Sequence, residues 1–122
     1  MPQVWRGSGS IGVSLYAFLY CEVKKLSDRP IRVILIAYNN DTRPTADPRP
    51  AFAWKGLAGS ATGDNVSDGL ISVGHVCSYG DVVAKMPPDF VLTTDEQIGF
   101  RFNGENGDSV NAKVIYEVKR DG

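Results

Sequence analysis

Asp95–Lys119, DEQIGFRFNGENGDSVNAKVIYEVK, alternates apolar and polar residues, reverses through Asn, Gly and Asp, and alternates again. A period of two marks a half-buried strand, because successive side chains of an extended chain point to opposite faces. In the second half Val110, Ala112, Val114, Tyr116 and Val118 share one face. Between the halves, Asn103–Asp108 predicts a tight exposed turn joining the last two strands, with Gly104 or Gly107 at positive φ. No residue in the stretch belongs to a catalytic set.

The same period runs upstream. In SIGVSLYAFLYCEVKK (Ser10–Lys25), Ile11, Val13, Leu15, Ala17, Leu19, Cys21 and Val23 fall on one face. Gly12, Ser14, Tyr16, Phe18, Tyr20, Glu22 and Lys24 fall on the other. The run is long for one strand and calls for a bulge or bend. IRVILIAYNND (Ile31–Asp41) is nearly continuous in apolar residues, as in a strand covered on both faces. Pro44, Pro48 and Pro50 predict an extended loop or an edge, since proline donates no backbone hydrogen bond. Ala51–Trp54 and LISVGHVCS read as further strands, and Pro87 and Pro88 interrupt another that resumes at Phe90.

No segment has helical periodicity. Seven or eight short strands with Gly, Pro and Asn turns predict an all-β, single antiparallel β-sandwich of jelly-roll type. The linker-like GSGS at Gly7–Ser10 marks residues 1–10 as a flexible N-terminal arm, leaving 11–122 as one β-sandwich domain. The expected core is Val13, Leu15, Leu19, Val33, Leu35, Phe100, Phe102, Val114 and Tyr116.

The totals agree. The chain has 122 residues, enough for one core, and is 43% hydrophobic. Thirteen basic and 14 acidic residues give a net charge of −1 with no basic stripe, which predicts no nucleic-acid partner. GVSLYAFLY is too short to span a bilayer as a helix, so no membrane association is expected. The first residues lack a basic region followed by an apolar one, so no secretion signal is read and the expected site of synthesis is a cytoplasm. Cys21 and Cys77 read as buried free thiols rather than a disulfide scaffold.

Candidate chemistry is sparse. The single histidine, His75, shares a strand face with Cys77, but side chains on one face point in parallel and no third group orients them. His75, Cys77 and Cys21 are too few for a closed zinc site. Asp64, Asn65 and Asp68, or Asn103, Glu105, Asn106 and Asp108, are oxygen-rich, yet they lack EF-hand spacing and suit ordinary turns. Asp95 and Glu96 are sequence neighbours and would point to opposite faces. The expectation is therefore a non-enzyme with no catalytic residues, no metal and no cofactor.

Aromatic residues remain. Tyr16, Phe18 and Tyr20 line the face opposite the aliphatic stripe, and Trp5 and Trp54 sit in less regular segments. These five are the expected interface residues, unless a second sheet covers the stripe. The segment PPDFVLTTDEQIGFRFNGENGDSVNAKVIYEVK resembles the closing strands of small β-sandwich and jelly-roll virion proteins of bacteriophages. That resemblance implies a structural role as a minor capsid, decoration or fibre-associated protein. It also implies a homo-oligomer or a contact with a larger capsid or tail protein, located in the virion after assembly in the host cytoplasm. The alternative is a carbohydrate-binding β-sandwich, with Trp54 and Asn65, or Tyr79 and Asp81, as its sugar contacts.

Overall fold

The computed structural model describes residues 1–40, 49–59, 70–76 and 82–120. Among the described residues nine strands follow in order: β1 Gln3–Ser10, β2 Tyr16–Glu22, β3 Ile31–Asn40, β4 Arg49–Leu57, β5 Leu70–Val76, β6 Val82–Lys85, β7 Val91–Leu92, β8 Glu96–Asn103 and β9 Ser109–Val118. A single 3₁₀ turn at Val23–Lys25 is the only helical element among the described residues. One sheet has the order β1-β9-β3-β6, with β7 also paired to β3, and the other has the order β2-β8-β4-β5. Every pairing is antiparallel.

Read with β6 and β7 as one broken strand, this order is a jelly roll. The first strand pairs with the last, the second with the one before it, and so on to the β4–β5 hairpin. A long antiparallel ribbon has thus been wrapped into two sheets. The break between β6 and β7 falls at Pro87 and Pro88, as their missing N–H groups require. Met86 N donating to Ile34 O (2.9 Å) and Val33 N to Phe90 O (3.0 Å) hold both sides of the break on β3.

The two sheets enclose Ile31, Val33, Ile36, Tyr38, Ile98, Phe100, Phe102, Val110, Val114 and Tyr116. Phe100 is the centre of an aromatic group. Trp5 stacks on it at 6.2 Å with rings 4° from parallel, and Tyr38 meets it edge-on at 6.1 Å. Each buried ring is worth roughly 2–3 kcal/mol.

Several expectations change here. Residues 3–10 are not a free arm but β1, paired along its whole length with β9. Gly7 and Gly9 act as spacers on its inner side. A Cβ at Gly7 would lie 2.6 Å from Trp5 Cη2, and one at Gly9 would lie 3.3 Å from Leu19 Cδ2. The linker-like composition is therefore what lets Trp5 reach the core.

The run from Ile11 to Val23 is not one strand. Gly12–Leu15 turns, with Leu15 N donating to Gly12 O (3.0 Å) and Leu15 at φ 68. Val13 and Leu15 are consequently exposed, against expectation, while Ile11, Ala17, Cys21 and Val23 are buried and Leu19 is half-buried. In β3 the register against β9 shifts between Val33 and Leu35, leaving Ile34 as the extra residue of a bulge. A bulge reverses the parity of the alternation. Ile36 takes the core place expected of Leu35, which is only half-buried.

The turn after Asn103 exists and Gly107 has the positive φ, at 99. It does not close a hairpin, because β8 and β9 belong to different sheets. It is a corner, lying beside the corner that carries β1 into β2. Ile11 N donates to Asp108 O (2.8 Å), Gly107 N to Ile11 O (2.7 Å) and Gly104 N to Leu15 O (3.2 Å). The buried Asp108 carboxylate accepts from Glu105 N (2.9 Å) and Asn40 Nδ2 (3.1 Å). The wrapped ribbon bends where both of its strands break.

Candidate functional site

The outer face of the β2-β8-β4-β5 sheet carries the exposed rings. Strand alternation turns Ala17, Leu19 and Cys21 inward, so Tyr16, Phe18 and Tyr20 stand outward, 43%, 40% and 40% exposed. The opposite sheet packs on the inner side, so the stripe is not covered by the domain's own second layer. Neighbouring rings along β2 lie 6.5 Å apart, and Phe18 and Tyr20 are within 8° of parallel.

Register extends this row across the sheet. Phe18 lies opposite Arg101, which lies opposite Phe52. Tyr20 lies opposite Gly99, which lies opposite Trp54. The Arg101 guanidinium sits 4.5 Å from the Tyr16 ring centre and 5.6 Å from that of Phe52, and its Nε donates to Asn103 Oδ1 (3.1 Å). Cation–π contact and the Asn103 bond fix a planar cation among the rings. Trp54, only 1% exposed, lies over Gly99, where any Cβ would strike the indole, and Tyr20 meets it edge-on at 6.4 Å. Trp54 Nε1 is buried with no hydrogen-bond partner among the described residues.

The five expected interface residues thus divide. Tyr16, Phe18 and Tyr20 form the exposed row, and Trp54 lies buried on the same face beside Tyr20. Trp5 belongs to the interior, stacked on Phe100, and is no part of this surface. Phe52 and Arg101 were missed. Ala51 and Ala53 are buried, so alternation turns Phe52 outward, but only strand order brings it beside Arg101.

The outer face of the other sheet differs. Arg32 Nη2 donates to Glu117 Oε2 at 2.7 Å, and that bond holds the Glu117 carboxyl below its usual range. Asn111 Nδ2 donates to Asn39 Oδ1 (3.1 Å). A shallow depression of about 480 Å³ opens there, lined by Arg6, Ser8, Ala37, Asn39, Asn111 and Lys113 among others.

Among the described residues no group of three or more His, Cys, Asp or Glu side chains is placed to hold a metal ion. No described helix is long and apolar enough to cross a membrane. The backbone of His75 lies in β5 opposite Pro50. Its side chain, and all of Cys77, Asp64, Asn65, Asp68, Tyr79 and Asp81, lie outside the described residues. Cys21 is a free thiol, and burial pushes its pKa up to about 12. A buried neutral thiol is a packing group rather than a nucleophile. No protein-family model and no curated protein matches this chain.

Proposed function

We propose that the chain is a structural protein of a virus particle that works by protein–protein association, through the outer face of the β2-β8-β4-β5 sheet. The observation that carries this reading is the row Tyr16, Phe18 and Tyr20, left about two-fifths exposed on a regular strand with Phe52 and Arg101 beside it. Aromatic residues and arginine are enriched at interface cores, and a cluster of this kind gains free energy when a partner removes it from water. The jelly-roll order supports the virion setting by analogy of fold, since capsid domains use it. The role is proposed as non-enzymatic, with no cofactor.

The test is Tyr16→Ser combined with Tyr20→Ser. Recovered together with its partner protein, the wild-type chain should run in an assembly far heavier than its 13.2 kDa, and the double variant should run free of that assembly with unchanged circular dichroism. A variant that still assembles, or one that no longer folds, contradicts the reading.

A carbohydrate-binding module is the second reading, and one observation favours it: the polar depression beside Arg6 and Lys113. Of the platforms first expected for a sugar, Trp54 is buried, while Asn65, Tyr79 and Asp81 lie outside the described residues. Glycan binding abolished by Arg6→Ala would move the function to that side of the molecule.

A further inference from the structure

We infer that two copies of this chain pair through the edge of β2, antiparallel about a two-fold axis at Leu19, joining their aromatic faces into one. This inference rests on the proposed use of that face and names its first partner, a second copy. β2 ends its sheet, and among the described residues it pairs with β8 alone. An edge strand presents a row of unpaired N–H and C=O groups, and folded proteins ordinarily blunt such edges with charge, proline or a bulge.

Two of the other edges are treated differently, while β5, at the far end of the same sheet, carries Gly74 and His75. β6 and β7 are interrupted by Pro87 and Pro88, and β1 carries Arg6 and two inward glycines, Gly7 and Gly9. β2 has six consecutive residues, Tyr16 to Cys21, with no charge, proline or glycine, and no register shift against β8. At about 3.3 Å per residue the strand offers roughly 23 Å of edge.

Main-chain hydrogen bonding, not area, favours the edge over the face. Four strands about 4.8 Å apart and roughly 23 Å long give a face of about 450 Å². A stable interface buries about 800 Å² per partner, so two copies stacked face to face fall short. Edge pairing buries less area than stacking, but it gains main-chain hydrogen bonds that stacking cannot supply. It also sets two faces side by side, about 900 Å² in all with both aromatic rows at the centre, which is enough to seat the pair on a larger protein.

Complete overlap of the seven residues of β2 fixes the register. Leu19 meets Leu19, Phe18 meets Tyr20, Ala17 meets Cys21 and Tyr16 meets Glu22. Phe18 and Tyr20 then form two cross-strand aromatic pairs on the outer face, an arrangement that stabilises antiparallel pairing.

Sedimentation equilibrium on the full chain tests this. The wild type should reach twice 13.2 kDa as concentration rises. Phe18→Lys, which places two like charges near the axis, should stay monomeric with an unchanged circular dichroism spectrum. Phe52→Ser, two strands in from the edge, should still dimerise. In a Cys77→Ser background, Leu19→Cys should give a disulfide-linked dimer under mild oxidation and Tyr16→Cys should not, with buried Cys21 silent in both. This cross-link holds the inference to account even if Phe18→Lys fails to fold.

A wild type monomeric at every concentration overturns the inference. If Tyr16→Ser with Tyr20→Ser then still abolishes binding of the chain to a larger partner protein, the face reading stands without the edge. A dimer lost in Phe52→Ser but kept in Phe18→Lys also overturns it, in favour of face-to-face contact.

Discussion

The two outer faces of the sandwich are built from equal numbers of main strands, yet one carries matched polar pairs with single exposed valines, Val4 and Val83, and the other a row of exposed rings. On the β1-β9-β3 side, groups are matched within the chain: Arg32 with Glu117, and Asn111 with Asn39. On the β2-β8-β4 side, Tyr16, Phe18 and Tyr20 stand in water around an arginine fixed by Tyr16, Phe52 and Asn103. Surface charges lose little by remaining hydrated, whereas exposed rings gain by being covered. On the proposed function, this difference marks the side where a partner would contribute most.

The contrast can be broken first at Trp54, which belongs to the aromatic face but is buried. Trp54→Ala should cost about 3–5 kcal/mol, as for other large-to-small core changes. Tyr20→Ala, on an exposed ring of the same face, should cost the free chain under about 1 kcal/mol. Urea denaturation of both variants measures the gap. Equal losses would mean that the face has no buried anchor.

The corner that carries β8 into β9 comes next, since it sets how the two faces are related. Gly104→Ala should destabilise by about 1–3 kcal/mol, because the new Cβ would lie 2.5 Å from Ile11 Cδ1 and 2.7 Å from Asp108 Oδ2. Gly107→Ala should cost about 1 kcal/mol or more, from its φ of 99 alone. Denaturation midpoints that do not move for either variant would show the corner to be misplaced.

Glu117→Gln, on the charged face, should have the smallest effect. The Arg32 bond lowers the folded-state pKa of Glu117, so its contribution is present above the ordinary carboxylate value of 4.5. It is lost as pH falls from there through the lowered native value. Melting temperatures of wild type and variant should differ slightly at neutral pH and converge in acid. A gap that persists or widens in acid would assign the effect to packing instead.

How much of this was legible in the sequence follows from what alternation encodes. Period two identified strands and faces, and it correctly set Tyr16, Phe18 and Tyr20 opposite Ala17 and Cys21. It also separated Phe100 and Phe102 from Arg101. Alternation does not say to which sheet a strand belongs, so the turn at Asn103–Asp108 read as a hairpin rather than a corner. A bulge leaves no compositional trace, so the parity change at Ile34 was invisible and Leu35 was placed in the core. The glycines of β1 looked like a linker because their use, making room for Trp5 and Leu19, exists only across the sandwich. Arg101 and Phe52, 49 positions apart in sequence, became neighbours only through the β4–β8 register.

The most direct test of the central claim compares the two sides of the molecule in one experiment. Amide hydrogen exchange is followed on the wild-type chain, first dilute and then concentrated enough to associate. The β2 segment Tyr16–Glu22 should exchange more slowly on association, while β1, Gln3–Ser10, at the edge of the charged sheet, should be unchanged. Unaltered exchange in β2, or slowing in β1 instead, would contradict the account.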